Sequence, residues 1–134
     1  MRFLLDTSIV SNLIRYPQGR IADRIKKVGE SNICTSIIVA AELRYGAAKK
    51  ASPRLTAQVE AVLTAIDTLP FDTPGDEIYG AIRARLEIVG TPIGGNALII
   101  AAQAVALDLT LVTDNEQGFS HVDGLRVKNW LRDQ

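Results

Sequence analysis

The chain holds one cysteine, Cys34, and one histidine, His121. A single thiol excludes an internal disulfide and a thiolate-rich zinc site. A single imidazole excludes a mechanism built on paired histidines. Neither a G-x-S-x-G nucleophile turn nor a Walker phosphate loop occurs. Charge of one sign is also missing. Fifteen Lys and Arg balance fifteen Asp and Glu, so no broad basic surface exists and any nucleic-acid partner must be held by local patches. No apolar run is long enough for a membrane span, and the opening "MRFLLDTS" lacks the long apolar region of a signal peptide. The expectation is a cytoplasmic protein with no membrane association. The chemistry left open rests on carboxylates, hydroxyls, amides and bound metal.

What is present is a hydrophobic content of 47% over 134 residues, enough for one domain, 1–134, to bury a core without cross-links. Short apolar runs at 2–5, 32–36, 68–71, 109–113 and 125–130 read as strands. Between them, helices are predicted at 7–16, 20–28, 37–50, 54–66, 74–90 and 97–107. Ser36 suits the cap of the third helix, Ser52-Pro53 introduces the fourth, and Asn96 suits the cap of the last. Strands alternating with helices predict an α/β fold with a mostly parallel sheet of about four to five strands covered on both faces. In such folds the working residues gather at the carboxyl ends of strands.

Several polar residues are candidates there. Asp6 ends the first strand in "LLDTS"; it reads equally as a site carboxylate and as a helix cap. Glu42 in "SIIVAAELRYGA" has Ile38, Tyr45 and Gly46 as helical neighbours, an apolar or small face that turns its carboxylate inward. A buried charge needs a cation, and either a bound metal or an arginine such as Arg44 supplies one. Asp114 and Asn115 follow the strand "LTLVT", where a plain turn is also expected. In "GTPIGGNALIIAAQAVAL", a glycine turn opens a helix whose positive end favours an anion, yet Ala97 stands there with no functional group. Ala is also simply an excellent helix former.

Together these segments resemble the PIN-domain ribonucleases, most closely the VapC toxins of type II toxin–antitoxin modules. The carriers are "FLLDTS", "TSIIVAAELRYGA", "IRARLEIVGTPIGGNALIIAAQA", "LTLVTDNEQGF" and "GLRVKNW", spanning residues 3–130. The resemblance implies a PIN-like three-layer α/β/α fold. It implies a metal site of Asp6, Glu42 and a third acid in the pattern P-I-G-x-x-D, which falls on residue 97. A further polar or acidic residue follows the fourth strand; position favours Asn115, while Asp114 is the nearer carboxylate. Thr7, Ser8 and Thr113 would support the site, Ser8 standing where the family often has Asn. The all-oxygen donor set selects Mg²⁺ or Mn²⁺, with one or two ions activating water against a phosphodiester of tRNA or ribosomal RNA.

Ala97 would then mark a removed ligand and an impaired enzyme. Two origins fit: natural divergence, or a deliberate Asp→Ala replacement that disarms the toxin for expression. The intact surroundings favour the second. The resemblance also implies a VapB-type antitoxin lying across the active-site groove and a toxin homodimer. RNA-binding candidates are Arg15, Arg20, Arg24, Lys26 and Lys27, with Lys49, Lys50 and Arg54 beyond the Glu42 helix; each alone is equally a solvated helix face. Arg83 and Arg85 either orient the carboxylates or pair with Glu87 or Asp76. Two rivals remain. One is a PIN-like module that binds RNA or protein without cutting. The other is a haloacid-dehalogenase-type phosphatase, which wants a second Asp where Ser8 stands. The first rival is separated by whether Asp6 and Glu42 converge.

Overall fold

Residues 4–5, 33–36 and 110–112 are buried throughout, with no polar alternation. Runs of that kind suit central parallel strands covered on both faces. The computed structural model describes residues 2–132 and arranges them in that way. In chain order the elements are β1 (Phe3–Leu5), α1 (Thr7–Arg15), α2 (Arg20–Val28), a 3₁₀ turn (Glu30–Asn32), β2 (Ile33–Ser36) and α3 (Ile37–Lys50). They continue with α4 (Pro53–Ala65), β3 (Asp67–Leu69), α5 (Gly75–Ile88), α6 (Gly95–Ala106), β4 (Thr110–Val112), α7 (Glu116–Phe119) and β5 (Arg126–Lys128). The five strands form one parallel sheet in the order β3-β2-β1-β4-β5. The more exposed strands, β3 and β5, are its edges.

That order decides where the site lies. From β1 the chain steps outward to β2 and then β3; it then returns across the sheet to β4 and steps the other way to β5. Right-handed crossovers in opposite directions place their helices on opposite faces. Accordingly α1 to α4 pack on one another, and α5 packs on α6. This is the three-layer α/β/α arrangement expected. The direction switches between β1 and β4, and their carboxyl ends flank a natural crevice. Leu4, Leu5, Leu111 and Val112 fill the sheet centre at 0% exposure. Leu111→Ala is expected to cost about 2–5 kcal/mol, through lost burial and a residual cavity, measured as a shift in the urea unfolding midpoint.

Helix starts follow side-chain chemistry at four places, that of the short α7 at Asn115 among them. The Asp6 carboxylate accepts the Thr7 N–H, Ser36 Oγ accepts the Ile38 N–H, and Ser52 Oγ accepts the Leu55 N–H with Pro53 as the first helical residue. The fourth helix therefore begins at Pro53 rather than Arg54. The expectation for Asn96 fails. Gly94 is the cap of α6 and makes no side-chain bond, and Asn96 lies one residue inside the exposed first turn. This helix starts two residues earlier than the polar side chain suggested, after an extended Gly94 at φ −62° and ψ 155°. The short α7 is also absent from the sequence reading, because its capping residue Asn115 looked like part of a turn.

Candidate active site

Asp6 joins strand to helix. Its N–H donates to the Val112 carbonyl at 2.9 Å, completing the β1–β4 pairing, and its own carbonyl accepts from Ile9 and Val10 in the first turn of α1. One carboxylate oxygen accepts the Thr7 N–H at 2.8 Å and the other accepts the Thr113 hydroxyl at 2.7 Å. The cap and the cleft carboxylate are thus the same group, with each oxygen held by a different neighbour.

Glu42 reaches the same place from α3. The Thr7 hydroxyl donates to its Oε1 at 2.6 Å, so Thr7 links the two acids through its N–H and its side chain. Arg44 does not pair with Glu42. It points the other way and forms a two-bond pair with Glu60, both contacts at 2.9 Å. Among the described residues neither Asp6 nor Glu42 has a cationic partner.

Asp6, Thr7, Ser8 and Glu42 line a cleft of about 380 Å³ together with Ala97, Asp114 and Asn115. Residue 97 therefore brings a methyl group from the first turn of α6 to the wall shared by the two acids. Ile100 and Phe119 form the apolar floor. On the β4 side, Ser8 Oγ accepts the Asp114 N–H at 3.3 Å, and Thr113 Oγ1 accepts the Asn115 N–H at 3.1 Å. The Asn115 side-chain oxygen caps α7, accepting from Gly118 at 3.1 Å. Asp114 is held by a residue the sequence reading missed. Fully buried Asn129 donates its amide to Asp114 at 3.0 Å and to Glu116 at 3.2 Å, and accepts from the Leu131 N–H at 2.9 Å. Its one advance signal was an amide flanked by Trp130 at the end of a strand.

The family model "PIN domain" matches residues 3–125. The chain belongs to the PIN-domain family. It is 34% identical over 131 residues to the "tRNA(fMet)-specific endonuclease VapC" of Salmonella typhimurium, covering 97% of this chain and 98% of that one. The structure of "DNA bound VapBC" from the same organism superposes with a TM-score of 0.91, at 34% identity and 97% and 98% coverage. "VapBC2 from Rickettsia felis bound to a DNA fragment from their promoter" gives a TM-score of 0.89, at 31% identity and 97% and 99% coverage. This PIN domain is of the VapC kind.

The electrostatics of the PIN-domain cleft follow from its two close acids. Burial is the largest cause that raises the Asp6 carboxyl above its ordinary value of 3.8; the Thr113 and Thr7 hydrogen bonds pull it back, and the nearby Glu42 charge raises it further. A carboxyl raised on folding contributes stability that is fully present below its unfolded pKa and is lost as pH rises through the folded value. The metal-free chain is therefore expected to lose stability relative to an Asp6→Asn form as pH rises above about 3.8. Urea midpoints of both forms between pH 3 and about 6.5 check this; a constant difference would refute it.

Positive charge in this PIN domain is unevenly placed. Arg15, Lys50 and Arg54 line a second groove that adjoins the acidic cleft. Arg20 instead donates to the Leu131 carbonyl at 3.0 Å. Lys49 sits over the Tyr45 ring at 5.9 Å. Arg24, Lys26 and Lys27 belong to α2 and line neither groove. Arg83 bonds Glu87 at 3.1 Å, and Arg85 meets Asp123 at 3.9 Å, rather than Glu87 or Asp76; neither arginine reaches the carboxylates. Cys34 is buried with its thiol pushed up to about 11 by burial, which suits a packed strand residue and not a nucleophile. His121 is exposed, and Trp130 packs on Phe3 with ring centroids 5.2 Å apart.

Proposed function

We propose that this chain is the ribonuclease toxin of a VapBC-type pair, a Mg²⁺- or Mn²⁺-dependent enzyme that hydrolyses a phosphodiester of a structured RNA, tRNA or ribosomal RNA. The observation that carries the reading is the meeting of Asp6, Glu42 and residue 97 in one cleft at the β1–β4 crevice. The relatives named above as a VapC endonuclease and as VapBC complexes support it.

The donor set fits a hard divalent ion in all but one position. Two carboxylates and flanking hydroxyls offer only oxygen, and the raised Asp6 carboxyl reports the burial and repulsion that a cation would relieve. Among the described residues no three Asp, Glu, His or Cys side chains are placed to hold one metal ion, and on this reading Ala97 accounts for the shortfall. Asp6 and Glu42 would hold the ion, with a third carboxylate at position 97 completing the set in an active form. When bound, such an ion supplies a water of lowered pKa and neutralises charge that develops on the phosphate. Thr7 and Thr113 orient the acids: each hydroxyl donates to one carboxylate and limits its rotation. Asn129 positions Asp114 at the opposite rim. Ile100 and Phe119 keep the floor apolar, which strengthens interactions with the acids above.

On this reading the chain as written is an Asp→Ala form with impaired catalysis. A VapB-type antitoxin would lie across the groove, and the toxin would pair with a second copy. The exposed Ile37 and Tyr45 of α3 support an interface there. The missing third carboxylate also favours a second reading, a PIN-like module that binds without cutting. An RNA cleavage assay on an Ala97→Asp form, in Mg²⁺ and in EDTA, separates the two. No cleavage by a folded Ala97→Asp chain would sink the nuclease reading.

A further inference from the structure

Helix α6 supplies two parts of the acidic cleft, residue 97 on its wall and Ile100 on its floor. Its first turn has no side-chain cap. Further along, Leu98, Ile100, Ala101, Ala102, Gln103 and Ala104 are buried, and all but Gln103 are apolar. Burial of such a surface is favourable but non-directional. Alanine-rich faces also raise low ridges, which resist sliding and rotation poorly. Apolar packing alone therefore leaves the axial position of α6 loosely specified.

Gln103 supplies the direction. It is 2% exposed, and its amide donates to two consecutive carbonyls, Leu69 at 3.1 Å and Pro70 at 2.9 Å. Leu69 ends β3 and pairs in register with Ser36, which ends β2 and caps α3. Residue 97 precedes Gln103 on α6, and Glu42 follows Ser36 on α3, by about 9 Å of helix in each case. The two helices that bring residue 97 and Glu42 to the cleft are thus tied to one corner of the sheet. The Gln103 Oε1, in contrast, is buried with no partner among the described residues. A dry acceptor is destabilising, and a methionine of similar volume would avoid that cost. Glutamine is therefore a poor choice as core filling, and what it adds is the pair of directed bonds.

We infer that Gln103 is a positioning residue of this site: by anchoring α6 to the end of β3, it sets where residue 97 stands against Asp6 and Glu42. A reacting group displaced by about 1 Å can lose about 10²-fold in rate, so an anchor on the same helix has leverage on chemistry it never touches. The inference rests on the nuclease reading for its catalytic consequence, and on the packing alone for the placement.

The test is Gln103→Met, which keeps length and volume and removes both donors. In the chain as written, carrying methyl-labelled alanine, the Ala97 methyl NMR resonance should shift or broaden in Gln103→Met. Ile21→Ala, which truncates a fully buried side chain on α2, should lower the urea midpoint and leave that resonance in place. In the Ala97→Asp form, Gln103→Met should lower kcat for RNA about 10²-fold with KM held within about threefold. Mn²⁺ binding, read from the EPR signal of the free ion, should weaken about 10-fold or more. Ile21→Ala in that form should leave both within about twofold. Gln103→His keeps one N–H donor and should restore most of both losses. Gln103→Leu, equally without donors, takes the place of Gln103→Met should the latter fold poorly. An Ala97 resonance unmoved in a folded donor-less variant overturns the inference. So do losses matched by Ile21→Ala, a change confined to KM, or no recovery in Gln103→His. Inactivity of the Ala97→Asp form counts against the nuclease reading alone, and the Ala97 resonance still decides the placement.

Discussion

An Ala97→Asp chain is expected to cleave RNA in Mg²⁺ on the order of 10²–10³-fold faster than the chain as written, about 3–4 kcal/mol of transition-state stabilisation. The effect is large because residue 97 presents a methyl group to the cleft wall shared by two acids. An oxygen donor added there completes a three-carboxylate set without moving the backbone, and the first turn of a helix accommodates an acid well. Two further results should accompany the gain. EDTA should abolish it. Without metal, the Ala97→Asp chain should be the less stable form, since a third negative charge joins a site whose Asp6 carboxyl is already raised. Mg²⁺ should then raise its melting temperature more than that of the Ala97 chain, because the ion binds only the folded state. Cleavage rates that agree between the two forms, with both folded, would rule out residue 97 as the missing ligand.

In the Ala97→Asp form, Asp6→Asn is expected to remove most of that activity, a fall of about 10²-fold or more, while the fold is kept. Asn is nearly isosteric with Asp and caps helices as well, so the Thr7 N–H retains its acceptor and α1 its start. What is lost is the charge that a divalent ion requires. Asp6→Ala should lose the same activity and in addition about 1 kcal/mol of stability, since it deletes the cap. The pair of variants separates the two duties of one side chain. Arg44→Ala serves as the contrasting control. Its guanidinium is occupied by Glu60 on the solvent side, and cleavage should stay within about twofold. A 10²-fold loss in Arg44→Ala, or activity retained in Asp6→Asn, would require a different site.

Much of this protein is local and was therefore readable residue by residue. Apolar runs with no polar alternation specified β1, β2 and β4, and the Ser36 and Ser52 caps located α3 and α4. The helical phase of Glu42, read from Ile38, Tyr45 and Gly46, turned its carboxylate inward; it lies half-buried in the cleft, although Tyr45 itself is 65% exposed. Other features depend on contacts that no neighbour announces. Arg44 chose Glu60, sixteen positions away on α4, over Glu42, two positions away on its own helix. Asn129 found Asp114 and Glu116 only because β5 pairs beside β4. Cations that look alike in sequence were sorted by the packing of α1 against α3 and α4, which brought Arg15, Lys50 and Arg54 to one groove.

The amino-acid order by itself determined the central strands, the six longer helices and the Ser36 and Ser52 caps, because those choices are settled within a turn or two of the chain. Strand order belongs to the tertiary structure. Parallel pairing joins segments far apart in sequence, as when Thr113 donates to Asp6 across 107 positions. The chirality of the crossovers, together with which apolar faces bury one another, sets that pairing. Only then do two acids, a methyl group and three cations share one continuous groove.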